Sequence, residues 1–197
     1  MMSGKKALLV MDFINEIVHP EGVYACEGYY QQTQERGVLK NVASALKHAR
    51  EQQLLIIFIV VGFNEHYEEF PPHSRVFAPA RAHSVLKLDT WSTQVHEDLK
   101  PLDDEIIIAK SRVSPFYQTN LELVLRTQGI EELILTGVST EHVVLATTLE
   151  GHDRDFIVTV LEDACSAVTQ ERHLAAMERI SLTANIRSTA HFVTSSL

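Results

Sequence analysis

Cysteine is scarce in this sequence of 197 residues, in which only Cys26 and Cys165 occur, far apart and without the spacing of a metal site. A scaffold built on disulfide bonds is therefore not expected. All apolar runs are too short to span a bilayer, and the one near the N-terminus, interrupted by Asp12, is too short for the core of a signal peptide. We expect a cytosolic protein without a membrane segment.

Positively charged residues are also few in this sequence. There are 17 Lys and Arg residues against 26 Asp and Glu residues, which gives a formal net charge of −9, and no basic cluster offsets this balance. Such a chain is not expected to bind nucleic acid or an acidic membrane surface non-specifically. Its length and its 45% hydrophobic content suit one globular domain, which we predict over residues 1–197.

Buried strands and helices are predicted to alternate along the chain. Apolar runs indicate strands at residues 6–13, 54–61, 105–110, 132–136 and 156–161, with a sixth, edge strand at 191–194. Apolar residues at helical spacing indicate helices at 31–52, 92–99, 119–128, 140–154 and 169–180. Thr119 is the predicted N-cap of one helix and Gly129 its predicted end. This alternation predicts an α/β fold of the Rossmann-like type, with a doubly wound parallel sheet.

The stretch 133–150, LILTGVSTEHVVLATTLE, changes from a strand pattern to a helical pattern within one short turn after Gly137. Asp12 and Lys110 likewise lie at the carboxyl ends of two other predicted strands. Because parallel strands joined by right-handed crossovers end on the same edge of a sheet, these residues are expected to meet there, where α/β sheets bind ligands. A desolvated acid and amine at that edge can hold a catalytic proton, or can form a structural ion pair.

Several segments, in order, resemble the isochorismatase-like hydrolases, which include nicotinamidases, N-carbamoylsarcosine amidases and true isochorismatases. They are LLVMDFINEIVHPEG, VVGFNEHY, DTWSTQVHEDLKP, IIAKSRVSPFYQTNLELVLRTQGIEELILTGVSTEHVV and VLEDACSA. The resemblance implies a three-layer α/β/α sandwich with a mostly parallel six-stranded sheet, a small-molecule substrate or ligand, and a homodimer or homotetramer. It assigns Asp12 to the family's catalytic aspartate and Lys110 to its catalytic lysine. Val138-Ser139 matches the family's non-proline cis peptide, which helps to form an oxyanion hole.

The sequence departs from the amidase members of that family at the nucleophile. Where they have the turn Gly-Val-x-Thr-x-x-Cys, this chain has Val143, which carries no nucleophilic atom. One hypothesis is a cysteine-independent hydrolase that uses Asp12 and Lys110, as true isochorismatases do. Those enzymes, however, have glycine in place of Val143 and Tyr-Ala-His in place of Ser139-Thr140-Glu141.

Two other hypotheses stay open at this point. A hydroxyl can replace the thiol as nucleophile, from Ser139, Thr140, Thr147 or Thr148. Alternatively, the chain binds a ligand or a partner without turnover, or serves as an oligomerisation module. Cys165 is expected to be a packed small residue, and no role is assigned to Cys26.

The remaining candidates line the predicted pocket or its loops. His142 and an aromatic wall are expected there, formed by Phe13, Phe63, Trp91, Phe116 and Tyr117. Arg112 and Arg75 are candidates for fixing an anionic substrate. Nicotinamidase members bind a divalent metal through an Asp-x-His element, but here the element contains Asn64, a poor ligand for such an ion. We therefore expect His66 and His73 to be ordinary loop residues, and no metal or other cofactor.

Overall fold

Six parallel strands form one sheet in the computed structural model, which describes residues 4–194. The ends of the predicted domain, residues 1–3 and 195–197, lie outside the described residues. The strands are β1 (Lys5–Met11), β2 (Leu55–Val61), β3 (Ile106–Lys110), β4 (Ile130–Val138), β5 (Ile157–Ser166) and β6 (Asn185–Arg187). Each neighbouring pair is parallel, and the spatial order is β3-β2-β1-β4-β5-β6. This confirms the predicted six-stranded α/β fold.

Helices connect the strands and cover both faces of the sheet. They are α1 (Asn15–Val18), α2 (Tyr29–Glu35), α3 (Val38–Glu51), α4 (Ala78–Ala82), α5 (Leu121–Thr127), α6 (Leu145–His152), α7 (Gln170–Ile180) and α8 (Thr189–Thr194). Among residues 4–194, no helix has the length and apolar content needed to cross a bilayer.

The sheet has a separate hydrophobic core on each face, because side chains alternate along a strand. In β1, Leu8 and Val10 face one core, which also contains apolar residues of α3 and α8. Ala7, Leu9 and Met11 face the other, which contains apolar residues of α5 and α7. The near-continuous apolar strands of the sequence are therefore explained by burial on both faces, as in other α/β/α sandwiches.

The strand order creates one topological switch point. From β1 the chain proceeds outward through β2 and β3, then crosses to β4 on the other side of β1 and proceeds outward through β5 and β6. The connections after β1 and β4 therefore leave the sheet in opposite directions and open a crevice at the carboxyl edge. Asp12 follows β1 and Ser139 follows β4, so both lie at this crevice.

Three predicted helices differ in the structure. The helix predicted at 31–52 is divided into α2 and α3, because Gly37 adopts a left-handed conformation with φ of 62°. The short helix predicted at 92–99 is instead two separate 3₁₀ turns, Trp91–Thr93 and Glu97–Leu99. The helix predicted at 140–154 begins as a π-helical turn, Thr140–Val144, before it continues as α6.

The prediction of an edge strand at 191–194 was wrong. That segment lies in α8, and the sixth strand is β6, which pairs with β5. The start of α8 is fixed by Asp163, whose Oδ1 accepts hydrogen bonds from the backbone N–H and hydroxyl of Thr189, at 2.7 and 2.8 Å. Phe192 then packs against His48 of α3 with 5.0 Å between ring centroids. These contacts cross large sequence separations, which a local pattern does not report.

The end of α5 offers a test of backbone conformation. Gly129 has φ of 69°, and a Cβ atom placed there would have no atom within 4 Å. Gly129→Ala is therefore expected to lower the free energy of unfolding by about 1–2 kcal/mol through the left-handed conformation alone. Gly129→Asn should cost less, because asparagine tolerates this conformation. Urea denaturation measures both, and equal losses for the two variants would contradict the explanation.

Candidate active site

A buried ion pair lies at the carboxyl edge of the sheet. Asp12 follows the last residue of β1, and Lys110 is the last residue of β3, so the lysine side chain crosses the end of β2. The Lys110 Nζ lies 2.8 Å from Asp12 Oδ2, and the two side chains are 1% and 5% exposed. Nζ also donates to the carbonyl oxygen of Arg112 at 3.1 Å. The acid and the amine therefore meet as the sequence predicts.

The Asp12 carboxyl group is only partly satisfied. Within residues 4–194 its Oδ1 is buried and has no hydrogen-bond partner. Burial raises the pKa of Asp12 above its ordinary value, and this outweighs the opposing effects of Lys110 and of the backbone N–H of Val61. The carboxyl group thus retains a proton at higher pH than an exposed aspartate does. It presents a free oxygen atom that can exchange that proton with a bound molecule.

The backbone of Asp12 is unusual as well. Its φ is 60°, a left-handed conformation that aspartate adopts more readily than most residues. Such conformations are concentrated at functional sites, where the surrounding structure enforces them. Here the backbone N–H of Asp12 still donates to the carbonyl oxygen of Ile59 at 2.8 Å, which ties the turn to β2.

The turn after β4 forms the adjacent part of the site. The cis peptide bond expected between Val138 and Ser139 is present. The backbone N–H groups of His142 and Val144 both donate to the Ser139 carbonyl oxygen, at 3.2 Å, and so hold the π-helical turn against the strand end. The Ser139 hydroxyl is buried and lacks a hydrogen-bond partner within residues 4–194.

Asp12, Lys110 and this turn line one cavity of about 330 Å³. Val138, Ser139, His142 and Val143 belong to its lining, as expected. Most of the wall is apolar and comes from Ile17, Val61, Val76, Phe77, Leu86 and Val113. The charged residues Glu27, Arg75 and Arg172 also line it, and all three are exposed. The cavity therefore combines a buried acid–amine pair, an apolar wall and an exposed charged mouth.

Six predicted pocket residues do not line this cavity, namely Phe13, Phe63, Trp91, Arg112, Phe116 and Tyr117. Phe13 is buried in one core, and Phe63 packs there against Phe70 and Phe77. Phe116 stacks on Phe156 in the other core, and Trp91 is 41% exposed with its ring against His19.

The guanidinium of Arg112 donates to the carbonyl oxygens of Glu69 and Ser111 and lies over the ring of Tyr117, which is not in the lining either. Nearness in sequence to a strand end does not fix the direction of a side chain. Two tyrosines and one arginine that the sequence did not indicate do line the cavity, namely Tyr24, Tyr29 and Arg172.

A buried polar network supports the turn from behind. The Thr140 hydroxyl lies 2.8 Å from Nδ1 of His173, which is fully buried, and the His173 Nε2 lies 2.9 Å from Glu162 Oε1. Arg36 contacts the same Glu162 oxygen at 2.6 Å. The hydrogen bond from His173 and the charge of Arg36 lower the pKa of Glu162 to about 2, against the effect of burial. The carboxylate therefore stays ionised and fixes the orientation of the imidazole.

Neither cysteine lies in the cavity lining. Cys165 is fully buried in β5 beside Gly137, and burial raises the pKa of its thiol to about 12. A buried thiol that keeps its proton is not a nucleophile. Cys165 is therefore a packed small residue, as expected. Cys26 is exposed.

The loop histidines do not fit a metal centre. His66 and His73 are both exposed, and within residues 4–194 no three potential His, Cys, Asp or Glu ligands come together. The Oδ1 of Asn64 instead accepts hydrogen bonds from the backbone N–H groups of His66 and Glu68, at 3.1 and 3.2 Å. Asn64 thus organises the loop through its side chain and does not act as a metal ligand.

The fold and this site define an α/β/α class of protein with a cavity at the switch point of a parallel sheet. A family model described as the isochorismatase domain matches residues 6–191, and the chain belongs to this family of isochorismatase-like hydrolases.

Solved structures agree with the fold. An isochorismatase family protein from Desulfovibrio vulgaris has a TM-score of 0.85 at 20% identity, over 96% of this chain and 97% of that one. A nicotinamidase from Bacillus subtilis has a TM-score of 0.76 at 24% identity, over 93% and 100%. An N-carbamoylsarcosine amidase from Thermoplasma acidophilum has a TM-score of 0.73 at 21% identity, over 94% of this chain and 96% of that one.

The buried pair predicts an asymmetric response of stability to substitution. Asp12→Asn leaves the Lys110 ammonium group buried without its counter-ion, and is expected to lower the free energy of unfolding by about 3–5 kcal/mol. Lys110→Met should cost less, because Asp12 can take up a proton. The double variant should recover most of the loss seen for Asp12→Asn. Urea denaturation at neutral pH measures all three, and strictly additive losses in the double variant would contradict a coupled pair.

Proposed function

We propose that this protein is a hydrolase of a small molecule that works without a cysteine, with Asp12 as general acid and Lys110 as its charged partner. The observation that carries the proposal is the Asp12 carboxyl group, which is buried at the cavity with a raised pKa and an unpartnered oxygen atom. A carboxyl group of this kind keeps its proton to higher pH than an exposed aspartate and is suited to donate it to a bound substrate.

Cleavage of an enol ether illustrates the chemistry that this site can perform. Protonated Asp12 gives its proton to the enol carbon, and the resulting oxocarbenium ion is attacked by water. The water loses a proton to the Asp12 carboxylate, and the hemiketal collapses to an alcohol and a carbonyl compound. One water is consumed and Asp12 ends in its starting form. Lys110 stabilises the carboxylate during the interval in which the proton has left.

The covalent route of the amidases is not supported by this cavity. Val143 is 2% exposed and fills the wall where the amidase members of the family carry their nucleophile, and neither thiol lines the cavity. A bulky substrate such as isochorismate is also disfavoured, because valine occupies space that glycine leaves open.

Hydroxyl nucleophiles are largely committed to other contacts. The Thr147 and Thr148 hydroxyls donate to the carbonyl oxygens of Val143 and Val144, at 2.6 and 2.8 Å. Thr140 contacts His173 instead. Ser139 lines the cavity, and its buried hydroxyl makes no hydrogen bond within 3.5 Å in the part of the chain that the structure describes. A cytosolic location, a single domain and a homodimer or homotetramer stay predictions.

Turnover of a panel of small enol ethers, amides and esters tests the proposal. Asp12→Asn should lower kcat by about 100-fold or more, the usual contribution of a general acid. For the wild-type protein, kcat should fall as pH rises through the Asp12 pKa, because only the protonated carboxyl group can donate. This inflection should lie above 3.8, the ordinary value for aspartate. Iodoacetamide should leave the rate unchanged, since no thiol takes part.

Two controls separate the acid from general effects on folding. Asp103→Asn removes an exposed carboxylate outside the cavity lining and should leave kcat unchanged. Circular dichroism reports whether Asp12→Asn is folded at the assay temperature. Loss of activity on alkylation, a covalent adduct at Ser139, or saturable ligand binding with no turnover across the panel would each contradict the proposal. The last result would favour a non-catalytic relative.

A further inference from the structure

We propose that Arg75 and Arg172 bind an anionic group of the substrate at the mouth of the cavity, so that the substrate is a small organic acid with an apolar body. This inference rests on the proposed function, because it names the class of molecule that reaches Asp12. The evidence for it is that the two guanidinium groups have no polar partner among residues 4–194, that the cavity lining is positively charged, and that polar groups lie next to one of the arginines.

The two arginines lack partners within the part of the chain that the structure describes. Arg75 and Arg172 are both exposed and line the cavity, and neither guanidinium group makes a hydrogen bond or an ion pair within residues 4–194. By contrast, Arg36, Arg50 and Arg154 each contact a glutamate carboxylate at 2.6 to 2.9 Å. In a chain with nine more acidic than basic residues, carboxylate partners are abundant. The guanidinium groups of Arg75 and Arg172 are nevertheless available to bind a ligand in the cavity.

The lining carries the opposite charge to the whole protein. It contains three cations, Lys110, Arg75 and Arg172, and two carboxyl groups, Asp12 and Glu27, so its formal charge is at least +1 even when both carboxyl groups are ionised. The chain as a whole has a formal net charge of −9. A cleft of one sign with low-dielectric walls concentrates the field and attracts counter-ions. The cavity should therefore select anions although the protein as a whole repels them.

Tyr29 places a neutral donor near Arg172. Burial raises the pKa of Tyr29 to about 12, the Glu141 carboxylate adds to that effect, and the nearby Ser139 hydroxyl and Arg172 guanidinium oppose it. The phenol therefore keeps its proton at neutral pH. Its hydroxyl and the guanidinium can both donate to one carboxylate oxygen, an arrangement suited to recognition of an acid.

The apolar part of the cavity wall indicates the chemistry of the uncharged part of the substrate. Ile17, Val76, Phe77 and Leu86 offer apolar contacts between the mouth and the floor. The volume of about 330 Å³ lies at the small end of the range for ligand sites. A compact apolar body with one anionic group matches these dimensions and this chemistry.

Equilibrium binding of benzoate and benzamide tests the charge preference without requiring turnover. These probes have the same ring and differ in the charge of one substituent. Isothermal titration at low salt should give a Kd for benzoate at least tenfold below that for benzamide. The double substitution Arg75→Gln and Arg172→Gln should remove this difference and leave benzamide binding unchanged. Raising the salt concentration should weaken benzoate selectively.

Arg179→Gln is the matched control, because Arg179 lies two turns further along α7, is exposed and does not line the cavity. It should leave the benzoate preference within twofold of the wild-type value. Equal affinities of the wild-type protein for the two probes, or failure of both to bind, would overturn the inference. So would a preference that survives in the double variant. A charge preference in a protein without turnover would support the inference while contradicting the proposed function, so the two can fail separately.

Discussion

The ion pair between Asp12 and Lys110 is the interaction on which the site depends. Both strands that supply it are apolar along almost their whole length, so their polar residues are confined to the ends. The strand order brings these ends together across β2. Removing two charges from water is costly, and the close contact at 2.8 Å offsets that cost only in part. The result is a carboxyl group whose pKa is raised although a lysine lies beside it.

The turn after β4 is held in place by a different set of forces. Gly137 lets the strand end approach Met11 and Val144, since a Cβ atom there would lie 2.9 Å from the Val144 side chain. Behind the turn, Thr140, His173 and Glu162 form a chain of hydrogen bonds. A turn supported on both sides keeps Val143 and Ser139 fixed at the cavity. The turn therefore presents a buried valine to the cavity, beside an intact acid–amine pair.

The sequence predicted the fold and the centre of the site because those features are local or topological. Apolar runs gave five of the six strands, and the rule that parallel strands end on one edge brought Asp12 and Lys110 together. The orientation of side chains beyond a strand end follows no such rule, which is why Phe13 and Phe63 were misplaced in the pocket. The sixth strand, β6, has only three residues, of which Asn185 and Ile186 are exposed and Arg187 is half-buried, so it carries no apolar alternation.

Long-range partners explain what the sequence did not indicate. Arg172 lies on α7, whose packing against the turn after β4 is set by contacts between segments far apart in the chain. Arg36 and Glu162 are separated by 126 positions, and Arg36 lies outside every segment that carries the family resemblance. Such contacts can be read only once the sheet order is known. Arg172 at the cavity and the supporting network are therefore structural findings, whereas Arg75 and the buried acid–amine pair were already indicated by the sequence.

The protonation of Asp12 is the central claim, and carbon NMR measures it most directly. The carboxyl ¹³C resonance of Asp12, assigned by its loss in Asp12→Asn, is followed as a function of pH. The account predicts a titration midpoint above 3.8, and a further upward shift in Lys110→Met because the lysine opposes protonation. A midpoint at or below the ordinary value in the wild-type protein would contradict it.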